Sequence, residues 1–235
     1  MSKNNSSRPN RHRLVRLFFR VVIIVAIVAV LFFGLAGRLD WYAGWGLIVV
    51  FFAYLLFIGI WGRRNDPELI AERTSNGEGV KTWDKVLMAF YTVLLLVLLI
   101  VSILDGARYQ WTHVPAWLSF VGWLGCLFAG WLIWRVMKEN TFLSSQVRIQ
   151  EERGHFVVST GPYSIVRHPM YLGVIIFLLC VPLVLGSILG FVIGILTAAL
   201  FVVRTILEDR MLMEELDGYR DYAHETPWRL IPKVW

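Results

Sequence analysis

Tyr171–Val203 reads YLGVIIFLLCVPLVLGSILGFVIGILTAALFVV, with no charged side chain anywhere along it. An α-helix rises 1.5 Å per residue, so an unbroken helix over this run would be about 50 Å long. A bilayer core is about 30 Å thick and takes roughly 20 residues. One straight span does not account for the stretch. Pro182 lacks a backbone N–H, and Gly186-Ser187 follows one turn later, which together mark a reversal. The run therefore predicts two short helices in a hairpin, Tyr171–Leu185 and Ile188–Leu207.

Four more apolar stretches precede it: Leu14–Gly37, Trp41–Gly62, Trp83–Leu104 and Trp117–Met137. The chain is 57% hydrophobic and 17% charged, with a mean hydropathy of +0.61. Soluble domains carry about a quarter charged residues, mixed through the sequence. The expected fold is an all-α integral membrane protein with about six transmembrane helices, or five if the hairpin does not cross fully.

Charge sets an orientation. Segments 1–20, 63–85, 135–170 and 204–235 hold all the Lys and Arg except Arg38 and Arg108. The positive-inside rule then puts both termini in the cytoplasm, which requires an even number of spans and favours six. The net charge of +6 is a membrane-facing feature, and no nucleic acid is needed to explain it. The first apolar run is long for a signal peptide and reads as a retained helix. Residues 1–13 read as a disordered basic tail, 14–137 as the N-terminal transmembrane helices, and 138–235 as a unit of polar loop, helical hairpin and C-terminal tail. Cys126 and Cys180 both fall inside apolar spans and read as unpaired thiols, with no metal site.

Polar residues that border spans are where function is sought. In Arg63–Lys85, Asp66 suits a helix cap with Pro67 at the first position. Leu69 and Ile70 would face the membrane surface. This segment reads as an interfacial connector, or as a flap over a site. In the next loop, Phe156-Val157-Val158 reads as a short strand or as a loop packed under a site, and His155 as a surface histidine. The loop ends Gly161-Pro162-Tyr163-Ser164-Ile165-Val166-Arg167-His168-Pro169-Met170-Tyr171-Leu172-Gly173. Gly161-Pro162 makes a turn, and His168 stands just outside a helix that begins at Pro169. That helix start would suit an anionic group. Gly173 permits close approach of a ligand or a helix. After the last span, Arg204, Glu208 and Leu212 share one helix face. Ionisable groups at that depth need a partner or a ligand.

Gly161-Pro162-Tyr163 with Arg167-His168-Pro169-x-Tyr171-x-Gly173 resembles the cofactor motif of the isoprenylcysteine carboxyl methyltransferase family, within a wider set that includes phospholipid N-methyltransferases. Glu208-Asp209-Arg210-Met211-Leu212 stands where that family has Glu-Glu-x-x-Leu, so Asp209 replaces the second Glu. Gly218-Tyr219-x-x-Tyr222 and Arg229-Leu230-Ile231-Pro232 also resemble its C-terminal pattern. The resemblance implies S-adenosylmethionine held between the hairpin, the preceding loop and the tail, in a cytoplasmic cofactor pocket. It implies cofactor contacts from Gly161, Pro162, Tyr163, Arg167, His168, Pro169, Tyr171, Gly173 and Asp209. The expected catalytic pair is Arg204, orienting an acceptor carboxylate, and Glu208, pairing with the cofactor's cationic end or holding Arg204. Arg167 is the alternative orienting cation. The acceptor would be a lipophilic molecule entering from the bilayer. Rival readings are a phospholipid amine or other small amphiphile as acceptor, a sterol-reductase-type enzyme using a nicotinamide, and a scaffold without catalysis.

Overall fold

The computed structural model describes the backbone of residues 11–74 and 79–235 and the side chains of residues 22–73 and 79–235. Eight α-helices are described: α1 Arg11–Ala36, α2 Tyr42–Asn65, α3 Pro67–Thr74, α4 Thr82–Ile103, α5 Ala116–Glu139, α6 Pro169–Leu185, α7 Ile188–Glu215 and α8 Tyr219–Glu225. No β-strand occurs among the described residues. Four helices are long and apolar enough to cross a membrane: Tyr42–Asn65, Thr82–Tyr109, Ala116–Glu139 and Ile188–Glu215. Two shorter apolar helices, Val22–Ala36 and Pro169–Leu185, accompany them. All six coincide with the stretches read from hydropathy. The expected tail at 1–13 falls on residues 1–10, which lie outside the described residues, and on residues 11–13, which are already helical.

The outer faces of α2, α4 and α5 expose residues such as Val49, Leu56, Phe90, Leu96, Phe120 and Leu124. In water this surface would drive aggregation, whereas lipid tails solvate it. The α5 and α6 helices pack most extensively on each other, and α7 lies against both α4 and α6.

The hairpin turn is where the sequence locates it. Gly186 takes a left-handed φ of 82° after α6, and the Ser187 hydroxyl caps α7 by accepting from Gly190 N at 2.8 Å. Beyond Ile103, α4 runs on as a π-helical turn, Leu104–Tyr109, which carries the buried Asp105. Its carboxylate accepts from Thr112 N at 2.8 Å, Thr112 Oγ1 at 2.6 Å, Ser187 Oγ at 2.6 Å and Leu189 N at 3.3 Å. One carboxylate thus ties the C-terminal end of α4 to the hairpin.

The α3 helix starts as expected, with Asp66 Oδ1 accepting from Leu69 N at 2.9 Å and Pro67 in the first turn. Leu69 departs from the expectation of a membrane-facing position, because it is fully buried. The cause is that α3 folds back on α2, setting Ile70 against Gly62. Phe156-Val157-Val158 form no strand; they are loop residues beside a cavity.

Asp105→Ala should strip four donors of one buried acceptor. Thermal unfolding in detergent is expected to show a loss of about 2–4 kcal/mol, with hydrogen exchange rising first at residues 186–190.

Candidate active site

The α6 helix has 17 residues, about 25 Å of rise. It shares its outer turn with α7, so a position a similar distance along α7, near Arg204, is level with the start of α6. This is why charges on α7 from Arg204 onward meet Arg167, His168 and Tyr171.

Asp209 is the centre of that meeting. It is 1% exposed. It accepts from Arg167 Nε at 2.8 Å and Nη2 at 2.9 Å, from Arg229 Nε at 2.8 Å and from Tyr219 Oη at 3.0 Å. His168 Nε2 lies 3.2 Å from the same carboxylate. The C-terminal tail completes the junction. Arg167 N donates to Trp228 O and His168 N to Arg229 O, each at 2.9 Å. Arg167 Nη1 donates to Thr226 O at 2.9 Å. The aromatic-rich tail thus folds back against the mouth of α6.

A cavity of about 820 Å³, including its open mouth, lies beside this junction. Its wall contains Tyr163, Arg167, His168, Pro169, Tyr171 and Glu208, all of them site residues expected from the sequence. Glu208 is half-buried, and the Tyr171 hydroxyl donates to its carboxylate. The His168 and Tyr171 rings are parallel, with centroids 5.7 Å apart. Tyr163 sits in a short 3₁₀ turn, Gly161–Ser164. Its hydroxyl accepts from Asn140 Nδ2 at 2.9 Å, and its carbonyl accepts from Tyr222 Oη at 2.7 Å. Burial pushes Tyr163, Tyr219 and Tyr222 well above the ordinary phenol range, so all three are neutral hydrogen-bonding groups.

The other expected residues stand behind the wall. Gly161 adopts a left-handed φ of 59° at the turn. Pro162 follows it and accepts from Ile165 N at 3.2 Å. Gly173 serves helix packing, because a Cβ there would come within 2.8 Å of Ile133 Cγ1 on α5. Arg204 is held bidentately by Asp84, at 2.7 and 3.0 Å, and also donates to Ser145 O at 3.1 Å. Asp84 in turn accepts from Val147 N at 2.8 Å. Thus Asp84, rather than Glu208, holds Arg204, and the pair pins loop residues 145–147.

Phe142 and Arg148 were not singled out from the sequence, and His155, read there as a surface histidine, is half-buried in the cavity wall. Phe142, His155 and Phe156 form an aromatic group: Phe142 and His155 stack at 4.7 Å, and Phe142 meets Phe156 edge-on at 4.9 Å. All three line the cavity. So does Arg148, held bidentately by Glu72 of α3 at 3.0 and 2.9 Å. The Arg148 hydrogen bonds hold the Glu72 carboxyl below its usual range. Asp84 carried one legible signal, a lone carboxylate one residue into an apolar span, which demands a partner.

Asp209→Asn removes the charge that three basic side chains share. We expect a loss of about 3–5 kcal/mol, as for other broken buried pairs, and faster hydrogen exchange over residues 226–230. Burial, with Arg153 and Arg148 nearby, holds the His155 imidazole below its ordinary range. The unfolded chain takes up that proton near pH ~6.5, and the folded loop only at lower pH. The contribution is therefore complete above about pH 6.5 and is lost as pH falls toward the folded value. Exchange over residues 150–158, corrected for intrinsic rates, should rise between about pH 7.5 and 5.5 in the parent protein. In His155→Phe, which keeps an aromatic ring beside Phe142, the change should be absent.

The model of the Isoprenylcysteine carboxyl methyltransferase (ICMT) family matches residues 121–214. That family is one of methyltransferases, which bears out the reading of the chain as an enzyme. No curated protein matches the sequence. Among solved structures, the fold is similar to that of the eukaryotic intramembrane Ras methyltransferase ICMT, with a TM-score of 0.50 and 16% identity over 96% of this chain and 88% of that one. At that identity the likeness speaks for the fold. The matched stretch, residues 121–214, holds α6, most of α5 and α7 and the whole of the connecting loop, and it includes the Gly161–Gly173 motif.

Proposed function

We propose that this chain is an S-adenosylmethionine-dependent membrane methyltransferase of the isoprenylcysteine carboxyl type, esterifying a carboxylate on a lipophilic acceptor. In this reading all six apolar helices span the bilayer, both termini are cytoplasmic, and the cavity lies at the inner leaflet. One observation carries it: His168, Tyr171 and Glu208, separated by up to 40 positions, share the wall of one cavity. They do so within or beside the segment that the family model matches.

The residues present fit the cofactor. Glu208 is a half-buried carboxylate, and it suits a ligand that brings an ammonium and a sulfonium. The Phe142, His155 and Phe156 rings supply flat apolar faces. When bound, S-adenosylmethionine would supply an electrophilic methyl on a cationic sulfur. Methyl transfer then needs the acceptor oxygen, the methyl and the leaving sulfur held in line, with water kept out. A carboxylate acceptor (pKa roughly 4) is already ionised at neutral pH, so no side chain has to remove a proton. In this mechanism Glu208 and Tyr171 fix the cationic end, while His168 and Tyr163 form the wall beside it. Asp209 keeps that wall in place through Arg167 and Tyr219, and Arg204 with Asp84 fixes the loop across the cavity.

Glu208→Gln and His168→Ala are each expected to lower the affinity for the demethylated cofactor, or turnover, by about tenfold or more, as expected for a lost charged hydrogen bond. Their unfolding temperatures in detergent should stay near that of the parent. Isothermal titration and transfer of a labelled methyl group read the two effects. A base-labile product marks a carboxyl ester; a base-stable one would assign an amine acceptor instead. Parental affinity and turnover in both variants would remove the site assignment.

A further inference from the structure

A second cavity, of about 710 Å³ including its open mouth, lies among α1, α2, α4 and α6. Only Val, Leu, Ile and Phe side chains line it. Leu98, Leu178 and Val181 are buried at its wall, whereas Phe51 is 42% exposed where it meets the lipid-facing surface. It shares no lining residue with the candidate site. Leu178 and Val181 lie seven and ten positions beyond Tyr171, about 10 and 15 Å along α6. On the side toward the site, Phe201 of α7 meets the Tyr91 ring of α4 at 5.0 Å and the Tyr171 ring of α6 at 5.5 Å, both edge-on. These three rings bridge α4, α7 and α6 at the end of the crevice nearer the site.

A cavity lined only by hydrocarbon stays free of water, and left unfilled it forfeits the van der Waals contacts of its walls. Within a bilayer such contacts are what hold helices together. The matching charge stands at the other end of the crevice. Phe32 of α1 lines it, and just beyond, Gly34 O and Leu35 O accept from Arg108 Nη1 at 3.4 and 3.3 Å. Arg108 is exposed. Of the two basic residues outside the charge-rich segments, Arg38 is paired with Asp40 at 2.8 and 2.9 Å. Arg108 has no carboxylate within ion-pair distance among the described residues. A guanidinium has five N–H donors, so two long bonds to carbonyls leave it able to take a phosphate as well.

We propose that this crevice is a phospholipid site: one acyl chain lies between α1, α2, α4 and α6, and Arg108 holds the phosphate. The chain fills the space that joins α1 and α2 to α6, the helix that opens the candidate site. The lipid site rests on the spanning arrangement proposed above and is independent of the acceptor.

The test uses the full-length protein in nanodiscs with a trace of phosphatidylglycerol that carries a diazirine midway along one acyl chain. After irradiation the labelled residues are mapped. Label is expected on the buried Leu178 and Val181 as well as on the lipid-exposed Val192 and Leu196. Val28→Phe, which adds a ring to the crevice wall, should remove most of the label at 178–181 and leave that at 192–196 unchanged. Arg108→Gln should lower the crevice label about fivefold, the scale of one basic residue acting on an anionic lipid, and it carries the same comparison if Val28→Phe does not fold. A diacylglycerol with the same diazirine lacks the phosphate, so it should label the crevice weakly, and equally in the parent and Arg108→Gln. Label at 192–196 with none at 178–181, or crevice label indifferent to both variants, overturns the lipid site and leaves the spanning arrangement standing. Label at neither place overturns both. Loss of the crevice label on adding excess N-acetyl-S-farnesylcysteine assigns the crevice to the acceptor's tail and overturns the phospholipid site.

Discussion

The arrangement of the candidate site depends on one buried carboxylate. Asp209 is almost wholly withdrawn from water, and an isolated charge there would cost several kcal/mol. It is tolerated because Arg167, Arg229, Tyr219 and His168 all converge on it. Those partners come from the mouth of α6, from α8 and from the tail. Satisfying one acceptor therefore brings three separate segments to one point. Aspartate, one methylene shorter than glutamate, still reaches every partner. The departure from the family's paired glutamates is accommodated by the groups that gather around it.

Two further bidentate pairs extend the same principle. Arg204 with Asp84 joins α7 to α4 and grips the backbone at Ser145 and Val147. Arg148 with Glu72 joins the loop to α3. Between Asn140 and Tyr163 the chain has little regular structure, yet it forms much of the cavity wall. Charged pairs at low dielectric do for this loop what a sheet ladder would do elsewhere: they fix geometry through a few strong, directional contacts.

Much of the architecture was legible in the sequence because the signals are local. Tyr171–Val203 declares a hairpin through Pro182 and Gly186-Ser187, and Asp66-Pro67 declares the start of α3. His168-Pro169 declares the mouth of α6. Each depends on residues within a turn or two of one another. The pairings that build the site do not. Asp84 and Arg204 lie 120 positions apart, and Glu72 and Arg148 lie 76 apart. A single sequence carries the need for a partner at each charge and no mark of which partner. That is why the sequence offers Glu208 as a holder of Arg204, while in the fold Asp84 takes that place. It is also why Leu69 reads as membrane-facing and is buried where its own helix, α3, folds back on α2.

The short α6 has one more consequence. At 17 residues its rise is about 25 Å, less than the roughly 30 Å of hydrocarbon in an average bilayer. With its outer end fastened to α4 through Asp105 and Ser187, the shortfall falls on the other side. In a six-span arrangement this is hydrophobic mismatch built into the helix that opens the candidate site. The leaflet must thin around His168, or the polar pit must sink below the headgroups. In the proposed carboxyl methyltransferase reading, either response would bring the candidate site to the depth at which an amphiphile floats, so that a lipid-tailed carboxylate would reach it by sliding sideways within the bilayer.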